Sequence, residues 1–525
     1  MRRSTTRSGA LRLLAACALA TIVGACSRPP STAAEKTLRV SQRNEPADLD
    51  PATASLPDEF FVIRALGEGL LLPNPAGGEP LAGIAERFDV SPDGLVYTFH
   101  LRADLKWSNG EPLTASDVIA SFQRALAPAT AAPKVHLFFP VKNARAYSSG
   151  ALADFSEVGF RVVDARTLAI ALERPLSPFS HYVASGPWIP VNPRVVAAHG
   201  RTWTQPAHHV GNGSFVLAEW SPQQRIVVRK NPHYRNAAHV PLAKIEFLRF
   251  DSTDTEERAF RAGQIDVTVD VPKTKIAAYA REHPAELHRL ALAETRYLSF
   301  NTTRAPLGDA RVRRALSLAL DRAKLVERVL LGGQIPAKRF LSPAMTLTAA
   351  AEDASNHDPE LARRLLADAG FAGGRDFPSL ELTAWSPSQL PLLEAIQATW
   401  RAELGVEVRI ALHEAKVHLA ALSRGDYDLA FITSLPDVPD AAASLAEFVS
   451  DAAGNYPRWR SAEFDALVAA GDLAAAEARL VKQAPVAPLY FNVQNWLMSP
   501  RVRGWKQDAF WNRAYVDVDL VAPAP

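Results

Sequence analysis

Apolar and polar positions alternate in several short runs of this chain, the period of a half-buried strand. Residues 37–40, 95–101, 225–229 and 242–250 read this way. Ser91-Pro92-Asp93-Gly94, just before the second run, is a turn signal. Further along the period lengthens. Val312, Leu316, Ala319, Leu320, Val326 and Leu330 fall at helical spacing, so one helix is predicted over 309–331, stopped by Gly332-Gly333. Helices are also predicted over 358–369, before Gly370, and over 392–404, before Gly405. A strand is expected over 406–410 and a buried strand over 427–431. Thr114 is a predicted N-cap, with Asp117 in the first turn near the positive end of the helix dipole. Strands and helices thus alternate, with 39 prolines scattered between them, which predicts several α/β lobes joined by many turns.

Length and composition sharpen this. The chain has 525 residues, enough for two or three lobes, with 48% hydrophobic and 22% charged residues, as in a globular protein with a substantial core. A formal net charge of +2 and the lack of a basic block beyond the N-terminus argue against nucleic acid as a partner. The two cysteines, Cys17 and Cys26, both lie near the N-terminus. The rest of the chain therefore holds no disulfide, no cysteine metal site and no thiol nucleophile.

The N-terminus reads as an export signal. Arg2, Arg3, Arg7 and Arg12 precede an apolar run, residues 13–23, that is too short to span a membrane. Val23-Gly24-Ala25-Cys26 resembles a bacterial lipobox, which implies cleavage of a signal peptide, 1–25, and a lipid on the Cys26 thiol. The Pro-, Ser- and Ala-rich segment 26–35 then reads as a flexible tether.

Catalytic and metal motifs fail on spacing. His413-Glu414 and His418 suggest a zinc helix, but the histidines are five apart rather than four. On a helix they diverge by about 140°. His208-His209 are adjacent and diverge too. Gly211-Asn212-Gly213-Ser214 is a turn and lacks the Gly-x-Ser-x-Gly order of a nucleophile elbow. The expectation is a protein that is not an enzyme and needs no cofactor or metal; a secreted hydrolase is the competing class.

A set of stretches carries a specific resemblance. In chain order they are Leu49-Asp50-Pro51, Gly67-Glu68-Gly69-Leu70, 81–88, 91–102, 106–117, 210–213, 230–234, Phe300-Asn301-Thr302 and 312–322. Together they resemble the oligopeptide-binding branch of the extracellular solute-binding family 5, the receptors of bacterial ABC importers. The physical reading of most of them is scaffold: Trp107 as packing, Asn109-Gly110 as a hairpin turn. The resemblance implies a three-lobed α/β periplasmic-binding-protein fold (class II, cluster C). Lobe I would comprise 36–67, 193–293 and 491–525, lobe II 68–192, and lobe III 294–490, with a ligand enclosed between the first and third as they close about a hinge. It further implies a monomer in the periplasm or cell envelope, held to a membrane by its lipid anchor. It would capture short peptides for a permease and ATPase complex. Another solute in the same fold, such as a metal chelate, an opine-like compound or a cell-wall peptide, is the alternative, because one fold hosts many ligands.

An enclosed peptide must keep its main-chain hydrogen bonds, and adding it as a strand does so without regard to sequence. By resemblance Asp437 aligns with the carboxylate that receives the peptide amine, with Asp440 as its competitor. Main-chain contacts would come from Thr433, Ser434 and Leu435, and from Ser55, Leu56 and Pro57 on the facing lobe. Three positions depart from the family pattern. Ser434 stands in place of an aromatic residue, Phe431 in place of a carboxylate-binding arginine, and Lys134 in place of a tyrosine. Arg424 and Lys134 are the substitutes considered for the ligand carboxylate, and Pro57 cannot donate a hydrogen bond. If Asp437 receives the amine, Asp437→Ala weakens binding of free peptides far more than of N-acetylated ones in titration calorimetry; equal losses remove that role.

Overall fold

The computed structural model describes residues 35–345 and 357–521. The signal segment 1–25, Cys26 and all of the tether except Glu35 lie outside the described residues. In chain order the strands that build the three large sheets are β1 (Thr37–Gln42), β2 (Ala85–Val90), β3 (Val96–Leu101), β4 (Phe160–Asp164), β5 (Thr167–Ala171), β6 (Phe215–Ser221), β7 (Arg225–Lys230), β8 (Lys244–Arg249), β9 (Leu287–Phe300), β10 (Ile335–Pro336), β11 (Leu380–Ala384), β12 (Val408–Leu412), β13 (Leu429–Ser434) and β14 (Val486–Leu497). One sheet runs β1-β8-β7-β6, with β1 parallel to β8. A second, antiparallel throughout, runs β2-β3-β5-β4. The third, six-stranded, runs β10-β14-β9-β13-β11-β12 and changes from antiparallel to parallel pairing at β13. The fold is mixed α/β, as the alternation of periods predicts.

Each sheet has its own core. Trp107, Phe99, Phe122 and Trp188 lie in the core of the β2–β5 sheet, where Trp188 stacks on Phe138 at 4.4 Å between ring centroids. Trp107 is fully buried, and Gly110 takes φ +88° in the turn that follows it, so this stretch is scaffold. Val438, far away in sequence, is buried in the same core. Phe61, Phe215 and Phe247 lie in the core beneath β1 and β6–β8. Trp400 anchors the core against the six-stranded sheet, and its indole N–H donates to the Leu316 carbonyl at 2.8 Å. The predicted cap also forms: Thr114 and Asp117 close a reciprocal capping box at the start of the helix Ala115–Leu126.

Three predicted elements differ in their bounds, each for a local reason. The single helix expected over 309–331 is broken: Ala310–Leu318 ends, and Asp321 caps a new turn, Arg322–Leu325, followed by a π turn, Val326–Leu330. Arg322 folds inward at the break and donates to the carbonyls of Ser317 (3.1 Å), Leu320 (3.2 Å) and Pro488 (2.6 Å). Two carbonyls at the helix end, Ser317 and Leu320, are thus satisfied by a side chain rather than by a continued helix, and the third bond ties the break to β14. The strand expected at 406–410 begins at Val408, because the Gly405 and Val406 amides turn back onto the Arg401 and Trp400 carbonyls to cap the preceding helix. The strand expected at 427–431 is β13, displaced by two residues and extended to Ser434. Tyr427 is held instead by its hydroxyl, which meets Ser299 at 2.8 Å.

A buried acid on the helix Thr253–Arg261 gives the fold a pH signature. Glu256 is buried and accepts from the Ser41 hydroxyl and the Val269 amide. Burial pushes its carboxyl up to about 7, against the pull of those hydrogen bonds. The folded chain therefore keeps this proton through an interval in which the unfolded chain has lost it, so this contribution to stability falls as pH rises from about 4.5 to 7. Urea unfolding at pH 5 and pH 8 should show Glu256→Gln losing less stability than wild type across that interval.

Candidate functional site

β13 pairs with β9 along its whole length but with β11 only at Leu429 and Ala430. Its second edge is therefore open from Phe431 onward. The parity of that edge follows from one bond. The Asn301 amide donates to the Asp428 carbonyl at 3.0 Å, which makes Asn301 and Asp428 a hydrogen-bonded antiparallel pair. Such pairs recur every second residue, so Ala430, Ile432 and Ser434 aim their main chains at β9. Phe431, Thr433 and Leu435 aim theirs the other way. The buried ring of His418 meets the Phe431 carbonyl. Thr433 and Leu435 come next along this edge. Of the three residues on this strand expected to offer main-chain bonds, Thr433 and Leu435 face the open edge, and Ser434 is committed to its own sheet.

The edge runs into a cavity of about 40 Å³ whose wall includes Pro57, Arg64, Lys134, Leu435, Pro436 and Asp437. Asp437 and Pro57, 380 positions apart in the numbering, thus share one wall. A larger cavity of about 670 Å³ adjoins at Asp437 and is lined further by residues 73–79, 438–442 and 508–510. Pro57 opens the helix Pro57–Leu66, and Ser55 and Leu56 precede it as its cap. The amides of Ser55 and Leu56 both donate to Glu59, at 2.7 and 2.9 Å. The facing segment therefore has its main-chain donors, and the Leu56 carbonyl, engaged by its own helix.

The charged groups divide clearly. Asp437 forms an ion pair with Lys134 through Oδ1, and Nε2 of His136 lies 3.6 Å from Oδ2. Burial pushes its carboxyl up, but His136 and the Lys134 charge outweigh that and hold it below the ordinary aspartate range. Asp440, the competitor, is occupied: it caps the helix Ala441–Ala446 through the Ala443 amide and accepts from the Tyr182 hydroxyl at 2.7 Å. Asp508, raised by burial, accepts from Asn512 and the Phe510 amide. Arg64 donates to the Ala184 carbonyl at 3.4 Å and has no carboxylate within ion-pair distance among the described residues. Burial lowers it to about 10, so it remains a cation at neutral pH.

The other residues singled out by sequence lie elsewhere. Phe431 is buried in the core with Trp385 against it, and Arg424 pairs with Asp426 on the surface. Neither touches the cavities. Glu414 caps the helix Ala415–Arg424, His418 is buried inside that helix, and His413 approaches Glu381. His209 is half-buried, stacked on Trp203, and desolvation lowers its ring to about 4. Arg64, His136 and Tyr182 were not legible as site residues. Arg64 looks like an ordinary helix position, and the partners of the other two lie hundreds of residues away.

The parity of β13 separates two neighbouring substitutions. Ser434→Pro removes an amide that β9 uses and should lower the unfolding free energy by about 1–3 kcal/mol. Thr433→Pro removes an amide that faces the open edge and should leave the denaturant midpoint close to wild type.

Comparison with known proteins identifies the family. The model of the bacterial extracellular solute-binding proteins, family 5 (Middle), matches residues 79–456. The chain is 32% identical over 492 residues to the "Probable deoxycholate-binding periplasmic protein YgiS" of Escherichia coli K12, covering 90% of this chain and 91% of the relative. It is 31% identical over 490 residues to the periplasmic oligopeptide-binding protein OppA of Salmonella typhimurium LT2, covering 90% of each. The solved structure of the Escherichia coli murein tripeptide binding protein MppA superposes with a TM-score of 0.80 at 31% identity, covering 93% of this chain and 99% of that one. The chain belongs to the bacterial extracellular solute-binding proteins of family 5.

Proposed function

We propose that this chain is the extracytoplasmic receptor of an ABC importer and captures short peptides for its permease and ATPase. The open edge of β13, with Thr433 and Leu435 facing away from β9 and running into the cavities, carries this reading. A peptide laid along that edge regains the main-chain bonds it loses on leaving water, whatever its side chains. Relatives named for oligopeptides and for murein peptides support the same class. Pro57, with Ser55 and Leu56 just before it in the chain, stands on the opposing wall, and Asp437 marks its charged end.

On this reading the three cores are the three lobes, with the boundaries expected from sequence, and the β13 edge faces the cleft that closes. The protein works as a monomer and binds rather than transforms its ligand. Its body lies in the periplasm, as the names of its relatives indicate, and Cys26 carries the lipid that ties it to a membrane. No helix among the described residues is long and apolar enough to cross a membrane. A second reading, an amphiphilic anion in place of a peptide, draws on the lysine already seated at Asp437 and on the relative named for deoxycholate.

Mass spectrometry of ligand released from the purified protein by mild denaturation tests the choice. A mixture of short peptides is the expected result, and a single non-peptide species moves the function to the second reading. Thr433→Pro should weaken binding of the released species about tenfold, the loss of one well-made hydrogen bond.

A further inference from the structure

The carboxylate at the end of the open edge already holds an ammonium, and that ammonium belongs to the chain itself. Lys134 follows Pro133 at the turn before the short helical segment Val135–Phe138, and its Nζ sits on Asp437 Oδ1. His136, two residues on, approaches the other oxygen at 3.6 Å. Both side chains of the ion pair are well shielded, at 18% and 26% exposure, so water screens the pair only partly. The rest of the small cavity offers an incoming cation nothing. Among its lining residues Asp437 is the single carboxylate, against two cations, Arg64 and Lys134. The larger cavity adds three acids: Asp440 and Asp508 have their oxygens engaged by the fold, and Glu79 is solvent-exposed and accepts from the Ser180 hydroxyl at 3.1 Å.

We infer that Lys134 is a specificity-determining residue: by filling Asp437 with an internal ammonium it directs the receptor to ligands whose end at this place carries no ammonium, such as N-acylated peptides. This rests on the peptide-receptor reading and narrows its substrate class. A free α-amine seated here would lie beside Lys134 and near Arg64, a like-charge contact that costs affinity unless Lys134 leaves. An acylated end brings no charge, and its amide can pair with the open edge.

Titration calorimetry with tri-alanine and N-acetyl-tri-alanine, on wild type and on Lys134→Met, tests this. Wild type should prefer the acetylated peptide on the order of tenfold. Lys134→Met frees Asp437 and should reverse that preference, whereas Lys134→Arg keeps the charge and should retain it. A lysine that merely supported the fold would move both affinities together. Wild type binding the free peptide as tightly as the blocked one, or an unchanged preference in Lys134→Met, overturns the inference. Should no protein bind either peptide, the peptide reading fails by itself. The role of Lys134 is then decided by octanoate against octylamine: selective binding of octanoate, lost in Lys134→Met, sustains it, and any other result rejects it.

Discussion

A main-chain amide or carbonyl taken out of water must find a partner, and the third sheet of this protein meets that demand on only one side of its central strand. β13 is fully paired to β9, while β11 leaves it after two residues. The features that mark the region as a candidate binding site follow from that early departure. Phe431 is the first residue past it, and a histidine closes its carbonyl. Thr433 and Leu435 come next with their main chains turned away from β9, and Leu435 lines the small cavity. The large hydrophobic clusters keep this half-used strand rigid, so that its unused half stays aligned.

Electrostatics then sets what the edge can terminate on. The acids around the cavities are not equivalent. Asp440 serves a helix start and a tyrosine, Asp508 a tight turn, and Asp437 a lysine from another core. Asp440 and Asp437 both reach side chains from distant parts of the chain, but Asp440 is also held by its own helix start, whereas Asp437 has only Lys134 and His136, so it is the acid most exposed to change by a single substitution.

The fold was readable from sequence because its signals are local. Strand alternation, the Thr114 cap, and the Gly370 and Gly405 stops each depend on a few neighbouring residues. The errors came where a distant group intervened, as when Arg322 bonds Pro488 and breaks a helix whose periodicity was continuous. The site was legible in one part and hidden in another. Thr433, Leu435, Pro57 and Asp437 emerge from motif order, and the structure gathers the last three around one cavity. That Ser434 is spent on β9 depends on strand parity, and that Lys134 meets Asp437 across 303 positions depends on the tertiary fold. Neither leaves a trace in spacing or composition.

Val438 has a consequence for how the two bodies separate. It follows directly from the β13 edge yet lies buried among the side chains of the β2–β5 core, with the Tyr182–Asp440 bond beside it. Drawing the two bodies apart re-exposes that valine, at about 1.5–3 kcal/mol, before any ligand compensates. At 1.4 kcal/mol per factor of ten, that single contact favours the joined arrangement by a factor of about ten to a hundred, so a polar residue at position 438 would loosen the two bodies without touching the open edge.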